Sequence, residues 1–335
     1  MAVIRVYEDI ATSLRGQHIV ITGSTGFVGR SLIAIGTHLN DVYDAQLTFD
    51  LVTRNSPSSE FPTLMDRTDT NFVLSEIGKH LVVSSRADLI FHCATPASAD
   101  LNQNDPQRMF ALNVEGARWI TDNDELLRSS PRVVFTSSGA VYGPQPHNVL
   151  KIPENQHEVF SSDQPISAYA EGKRAAEELF LSAGENGGLD PVIARLFAFS
   201  GVGLPLDRHF AIGNFVRDAQ KNQNIIVRGT GHDVRSYLDS RDMAIWLWKA
   251  ATTNDGCDPL HIGSSNPISV GDLAIKVKTR AKIVLDRDVE VITLGDVTDF
   301  KSSSRYVPEN AQTRERLKVD EWTSLDESID QMLLQ

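Results

Sequence analysis

The chain is poor in cysteine and in aromatic residues, and it contains no long apolar run. Cys93 and Cys257 are the two cysteines among 335 residues. They stand far apart and form no metal-type cluster, which excludes a disulfide framework and leaves a reducing, cytoplasmic setting as the expectation. The nine histidines show no HExxH or paired ligand spacing, so no metal is expected. No apolar stretch approaches the ~18–20 residues that span a bilayer; IWLWKAA is read as a short helix face. The opening, MAVIRVYEDI, carries acidic residues and no apolar core of signal-peptide length, so no targeting segment is expected. Positive charge is in deficit: 32 Lys and Arg against 44 Asp and Glu give a formal net charge of −12. Neither nucleic acid nor an anionic membrane attracts such a protein. No GxSxG surrounds a serine, so Ser200–Gly203 is not a nucleophile elbow.

What is present is the profile of an ordinary globular protein, 41% hydrophobic and 23% charged. The length implies one large α/β unit with a smaller part attached. Residues 17–23, Ala45–Thr53, 88–94, 132–136 and Pro191–Phe197 read as short β-branched strands. Between them, Phe27–Leu39, Pro106–Leu127 and Ala168–Ser182 read as helices; Asn55–Lys79 has no clean period and is left unassigned. Strands alternating with helices predict a parallel sheet covered on both faces. The expectation is an α/β, Rossmann-type doubly wound parallel sheet over residues 1–200. Residues 201–335 would form mainly a substrate-binding lobe, some later segments returning to the sheet. Further pieces are read near Phe210–Gln220, 225–228, Asp239–Ala251 and Val270–Arg280. Trp246 and Trp248 are assigned to core, Asp239 and Asp242 to helix-start and lobe-packing roles.

ITGSTGFVGR places Gly23, Gly26 and Gly29 directly after the first strand and at the head of a helix. The first glycine permits a tight turn, the second lets backbone approach a pyrophosphate, and the third allows close helix–strand packing. The helix N-terminus offers free N–H groups and a partial positive charge. Thr25, Phe27 and Val28 complete this turn as cofactor-binding positions. The spacing is GxxGxxG, not the commoner GxGxxG, and a mere packing turn is the bland alternative. At the end of the second strand the sequence reads LVTRN, with Arg54 where an acid usually grips the ribose of NAD. An arginine there accommodates the extra phosphate of NADP, so NADP(H) is favoured and NAD(H) is possible. The bland reading of Arg54 is a solvated surface residue.

SAYAEGKRAAEEL puts Tyr169 and Lys173 four apart, on one helix face. A phenol with a pKa near ~10 is a poor base at neutral pH, and a neighbouring ammonium lowers that value. Such pairs are often just a packed ring and a solvated amine. Here the preceding strand, RVVFTSSGAVYG, delivers Thr136, Ser137 and Ser138 at its C-terminal end, the edge where ligands sit in open α/β sheets. His92 is expected to pack beside the cofactor strand.

TGSTGFVG, HCAT, SSGAVYG and YAEGK, in this order and spacing, resemble the extended short-chain dehydrogenase/reductase family. It includes nucleotide-sugar epimerases, 4,6-dehydratases, decarboxylases and 4-keto reductases. GTGHDVRSYLDSRDMA, LHIGSSNPISVGDLA and RYVPENAQTRERL resemble its substrate lobe, so the similarity covers nearly the whole chain. The resemblance implies that Tyr169 is the acid/base, Lys173 its partner and a ribose contact, and Ser138 the hydroxyl polarising a carbonyl. It implies that Cys93 and Ala94 lie along the cofactor, that Asn113 supports the active-site helix, and that Arg235 holds the diphosphate of a nucleotide-sugar substrate. Gly139 and Ala140 depart from the family's dehydratases, which carry an Asp–Glu pair there, and from its decarboxylases, which keep a Glu. Ala198, and His209 with Phe210, stand where asparagines are usual.

The implied function is hydride transfer between nicotinamide C4 and sugar C4, with Tyr169 exchanging the oxygen-bound proton. The favoured form is NADPH-dependent reduction of a 4-keto-6-deoxy sugar for surface polysaccharide. A 4-epimerase holding NAD is the alternative, and a dinucleotide-sensing regulator without chemistry the second. The resemblance also implies a homodimer built through a four-helix contact.

Overall fold

A computed structural model describes residues 3–57, 61–79, 81–84, 86–160, 165–208, 210–253, 258–299 and 303–335. Cys257 and His209 lie outside the described residues. The helices are α1 (Val3–Ser13), α2 (Phe27–Tyr43), α3 (Ala99–Asn104), α4 (Pro106–Thr121), α5 (Asp124–Leu127), α6 (Ala168–Glu185), α7 (Ala211–Gln220), α8 (Ser240–Thr252), α9 (Val270–Leu285), α10 (Ala311–Leu317) and α11 (Leu325–Leu333). The strands of the first half are β1 (His18–Thr22), β2 (Thr48–Thr53), β3 (Thr70–Leu74), β4 (Leu89–His92), β5 (Arg132–Ser138) and β6 (Asp190–Leu196). Later come β7 (Phe199–Ser200), β8 (Ile225–Val227), β9 (Val234–Arg235), β10 (Leu238–Asp239), β11 (Leu260–Ile262), β12 (Ile268–Ser269), β13 (Val291–Thr293) and β14 (Arg305–Tyr306).

Seven strands make one sheet in the order β11-β6-β5-β4-β1-β2-β3, and every neighbouring pair is parallel. The chain runs outward from β1 to β2 and β3, then crosses back to place β4 on the other side of β1. That reversal opens a crevice beyond the carboxyl ends of β1 and β4, which end level in register at Thr22 and His92.

Both faces of the sheet are covered, and its central strands read as continuous apolar runs for that reason. Alternate residues divide between two cores. Ile19, Ile21, Phe91 and Val134 pack with α1, α2 and α8. Val20, Ile90, Val133 and Phe135 pack with Ala117 and Ile120 of α4 and Ala176 and Phe180 of α6. Trp246 and Trp248 are fully buried, and their indole N–H groups donate to the carbonyls of Asp320 and Leu32 at 3.0 and 3.1 Å. Asp239 caps α8 by accepting from Arg241 N. Thus α8 and β11, from beyond residue 201, lie in the sheet layers. The smaller lobe gathers α7, α9 and α11 over the β8–β13 pair, around Phe215, Leu273, Val277 and Met332.

Several elements differ from the sequence reading. The unassigned stretch contains β3, an edge strand with no fully buried residue, so no apolar period marks it. The single helix read over Pro106–Leu127 is broken: Asn123 caps α5 by accepting from the amides of Glu125 and Leu126. Helices α1, α3, α10 and α11 have no counterpart in the sequence reading.

Candidate active site

The glycine turn shapes one wall of the crevice. Gly23 has φ +67°, and a Cβ there would lie 2.7 Å from the carbonyl carbon and oxygen of Cys93 and 2.9 Å from Ala94 Cα. Only glycine fits that conformation and that approach. Gly29 sits against the same turn: a Cβ would come within 2.4 Å of the Gly23 carbonyl oxygen, so the third glycine brings α2 hard onto β1. Gly26 is the N-cap of α2 and supplies no side-chain bond to the first turn. The turn is pinned to β2 by Ser24, whose hydroxyl donates to the Val52 carbonyl at 2.8 Å. Thr25, Phe27 and Val28 are half-buried along it. Cys93 and Ala94 pack directly against the turn. Burial pushes the Cys93 thiol up to about 12, so it is an inert wall residue. A cradle that a Cβ would fill, heading a helix without a side-chain cap, fits the pyrophosphate of a dinucleotide.

At the end of β2, Arg54 is exposed. Arg30, in the first turn of α2, donates to the Thr25 carbonyl at 2.9 Å and lays its guanidinium 4.9 Å from the Phe61 ring centroid. The carboxylate within β2, Asp50, is buried and accepts from Ser84 N, Ser84 Oγ and Asn71 Nδ2. It is committed to internal packing, and no acid occupies 53–56.

The opposite wall is formed by β5 and α6. Ser167 caps α6 by accepting from Ala170 N, and Asn102 Oδ1 accepts from Tyr169 N at 2.9 Å. Lys173 is buried. Its Nζ donates at 2.6 Å to both Thr95 Oγ1 and the Thr136 carbonyl, and it lies 4.7 Å from the Phe135 ring centroid and 5.9 Å from that of Tyr169. Thr95 follows Ala94, so the amine is tied to the strand exit that the glycine turn abuts. Asn113, fully buried, donates to the Met109 carbonyl and leaves Oδ1 without a partner among the described residues. Gly172 lets its helix approach: a Cβ there would meet Asn113 Cβ at 2.9 Å.

Ser138 ends β5 and accepts from Ala140 N at 3.2 Å. Two phenols converge on its hydroxyl. Tyr169 lies close enough for that hydroxyl to lower its proton affinity, and Tyr306 Oη stands 3.5 Å away while donating to the Leu196 carbonyl at 3.3 Å. Tyr306 comes from β14, where it lies in register with Arg235 of β9. Arg235 is held by the Val234 carbonyl and by Ser304. The β9–β14 pairing therefore sets a guanidinium and a phenol side by side, with the phenol reaching the end of β5. Sequence reasoning missed Tyr306 because its strand is two residues long and its partner is 168 positions away.

The electrostatics qualify the expected tyrosine–lysine pair. Burial drives Tyr169 above the ordinary phenol value, and the Ser138 hydrogen bond pulls against it. Burial also pushes Lys173 down to about 7. The expectation that the ammonium lowers the phenol is thus opposed by desolvation of both groups. Lys173 reaches Thr95 and the β5 carbonyl with its protons and faces the side of the phenol ring. His92 is buried between Phe135 and Phe180, with Nδ1 on Thr22 Oγ1 at 2.9 Å; burial holds it down to about 3, a neutral packing residue. Gly139 is closed to any side chain, since a Cβ would lie 2.4 Å from the Phe197 ring.

A seven-stranded parallel sheet with a glycine crevice at its switch point and Ser138, Tyr169 and Lys173 beside it defines an extended short-chain dehydrogenase/reductase. The chain belongs to the NAD dependent epimerase/dehydratase family, whose model matches residues 19–263. It is 27% identical over 327 residues to UDP-glucuronic acid decarboxylase 1 of Arabidopsis thaliana, covering 94% of this chain and 68% of that one. Among solved structures it is similar to an epimerase from Methanothermobacter thermautotrophicus (TM-score 0.80, 19% identity, covering 98% of this chain and 94% of the other). It is also similar to UDP-glucose 4-epimerase with UDP-glucose from Thermotoga maritima (TM-score 0.77, 19% identity, covering 95% and 97%). No helix among the described residues is long and apolar enough to cross a membrane.

Proposed function

We propose that this protein reduces the C4 carbonyl of a nucleotide-linked 4-keto-6-deoxy sugar with NADPH. One observation carries the reading: the site converges hydroxyls on the reacting position and offers no carboxylic acid after Ser138. Gly139 is sealed by Phe197 and Ala140 has no proton to give, so the groups that dehydratases and decarboxylases use on carbon are missing. What remains is oxygen-centred proton exchange. Ser138 and Tyr169 would hold the sugar oxygen by hydrogen bonds, and a phenol kept protonated by burial is suited to donate as that oxygen becomes an alkoxide. Lys173, poised near neutrality, would stabilise the phenolate left behind and restore its proton.

A bound nicotinamide dinucleotide would supply the hydride. Gly23, Thr25, Gly26, Phe27, Val28 and Gly29 would hold its pyrophosphate, Cys93, Ala94 and Asn113 would lie along it, and Tyr169 and Lys173 would meet its nicotinamide ribose. Arg54, assisted by Arg30, would take the 2′-phosphate, a preference supported by the commitment of Asp50 to internal partners. Arg235 would grip the substrate diphosphate. The compartment in this reading is the cytoplasm and the product serves polysaccharide synthesis. The assembly is a homodimer through α4 and α6, supported by the half-buried Leu112, Val114, Leu179 and Leu181 and the exposed Phe110 on those helices.

The test is a panel of nucleotide sugars and their 4-keto derivatives, followed by NADPH absorbance and product NMR. Consumption of NADPH with a 4-keto substrate is expected, and Tyr169→Phe abolishes it. Protein that purifies with stoichiometric NAD and interconverts epimers without added cofactor overturns the reductase in favour of an epimerase. An unaltered Tyr169→Phe in every assay points instead to a dinucleotide sensor.

A further inference from the structure

One buried network beside this site has no part in the proton exchange just described. Tyr169, Lys173 and Glu177 follow at four-residue intervals on α6, so all three share the face turned to β5. Glu177 is gripped by Arg195 of β6 through two bonds, Nε to Oε1 at 3.0 Å and Nη2 to Oε2 at 2.6 Å, and both side chains are more than nine-tenths buried. Ser137, the residue before the catalytic hydroxyl, donates to the same carboxylate. Arg195 is fixed on its far side by Tyr142, donating Nη1 to the phenol oxygen at 2.7 Å with its guanidinium 4.8 Å from the ring centroid. Tyr142 Oη is hydrogen-bonded to His261 Nε2 at 2.6 Å, and His261 Nδ1 meets the Glu309 carbonyl at 2.8 Å. The chain of contacts ends three residues from Tyr306.

A buried ion pair is a poor investment in stability, since desolvation consumes much of its Coulombic gain. Its location says what else it does. We propose that Glu177, clamped by Arg195 and Ser137, is a positioning residue that keeps Lys173 charged and fixes the end of β5 that carries Ser138. The groups facing Lys173 are Tyr169 and Glu177 from its own helix, His92 of β4 and Cys93 just beyond that strand, with Asn113 the nearby polar residue of α4. Burial keeps His92 and Cys93 neutral at physiological pH, which leaves Glu177 as the anion that raises the proton affinity of Lys173 against desolvation. Arg195 holds that carboxylate in place through its two bonds.

This rests on reading Tyr169 and Lys173 as the proton-handling pair, so the primary readout needs no substrate. The 13Cε resonance of Lys173, assigned by its disappearance in Lys173→Met, is titrated in cofactor-bound protein. Glu177→Gln keeps the shape and a bond to Ser137 but removes the charge. It is expected to lower the Lys173 midpoint by about one pH unit and to lower kcat at neutral pH about tenfold, with KM unchanged. If leaving Arg195 unpaired unfolds that variant, Glu177→Gln/Arg195→Met removes both charges, and a smaller shift in the same direction is expected there, because loss of the neighbouring cation partly offsets loss of the anion. A folded variant whose Lys173 midpoint stays put overturns the proposal, as does an unchanged kcat with only a lower Tm. A shifted midpoint in a protein that turns over no sugar nucleotide would uphold it and remove the proposed reaction instead.

Discussion

Lys173→Met isolates the electrostatic strain at the centre of this site. Burial brings the amine to about 7 from 10.5, while the unfolded chain keeps the ordinary value. Between those limits the unfolded state binds more protons than the folded one. Wild-type stability therefore rises with pH through this group, and falls as pH drops from 10.5 towards 7. With each pKa unit worth about 1.4 kcal/mol, the group adds roughly 2 kcal/mol of stability between pH 7 and pH 9. Methionine fills similar volume and has no proton to bind, so the slope vanishes. Losing the bonds to Thr95 and the Thr136 carbonyl displaces the variant by an amount that pH does not change. The expected result is that the stability of Lys173→Met relative to wild type declines by roughly 2 kcal/mol from pH 7 to pH 9, with catalysis abolished throughout. Chemical denaturation of cofactor-free protein at pH 7, 8 and 9 measures it. Parallel curves for the two proteins would refute the desolvation argument.

Three further outcomes follow from particular contacts. Gly29→Ala puts a methyl group about 1 Å inside ordinary contact with the Gly23 carbonyl oxygen; it is expected to destabilise by ~1–3 kcal/mol and to weaken dinucleotide binding at least tenfold by calorimetry, and unchanged affinity would show that the turn is only a packing device. Gly139→Ala meets the Phe197 ring and should lose about 2 kcal/mol, recovered in part by adding Phe197→Leu; absence of that coupling in a double-mutant cycle would count against the sealed pocket. Asp242, which accepts from Thr323 N at 2.9 Å, is raised to about 7 from 3.8, chiefly by burial. Its contribution to stability is present below pH 3.8 and lost as pH rises through 7, so Asp242→Asn should be more stable than wild type by ~2–4 kcal/mol at pH 8 and by much less at pH 5. An equal difference in Tm at both pH values would contradict this.

The sequence by itself determined the sheet and its glycine turn, because both are written in local patterns. Apolar runs such as HIVIT and RVVFT can be satisfied only between two covering layers, and three glycines spaced three apart at a strand end leave little besides a close helix approach. Tyr169 and Lys173 were legible for a similar reason, since helical spacing alone puts them on one face. Glu177 lay at the next turn of the same stripe and could have been found by extending it. Tertiary structure decided the rest. β3 is an edge strand whose half-buried residues carry no period, and α8 and β11 rejoin the sheet across chain separations that no local pattern records. The proton affinities of Tyr169 and Lys173 depend on how much water the fold removes, which spacing cannot state. Tyr306 reaches Ser138 only because β14 is laid beside β9, so the second phenol beside that hydroxyl exists through a pairing in space and has no signature along the chain.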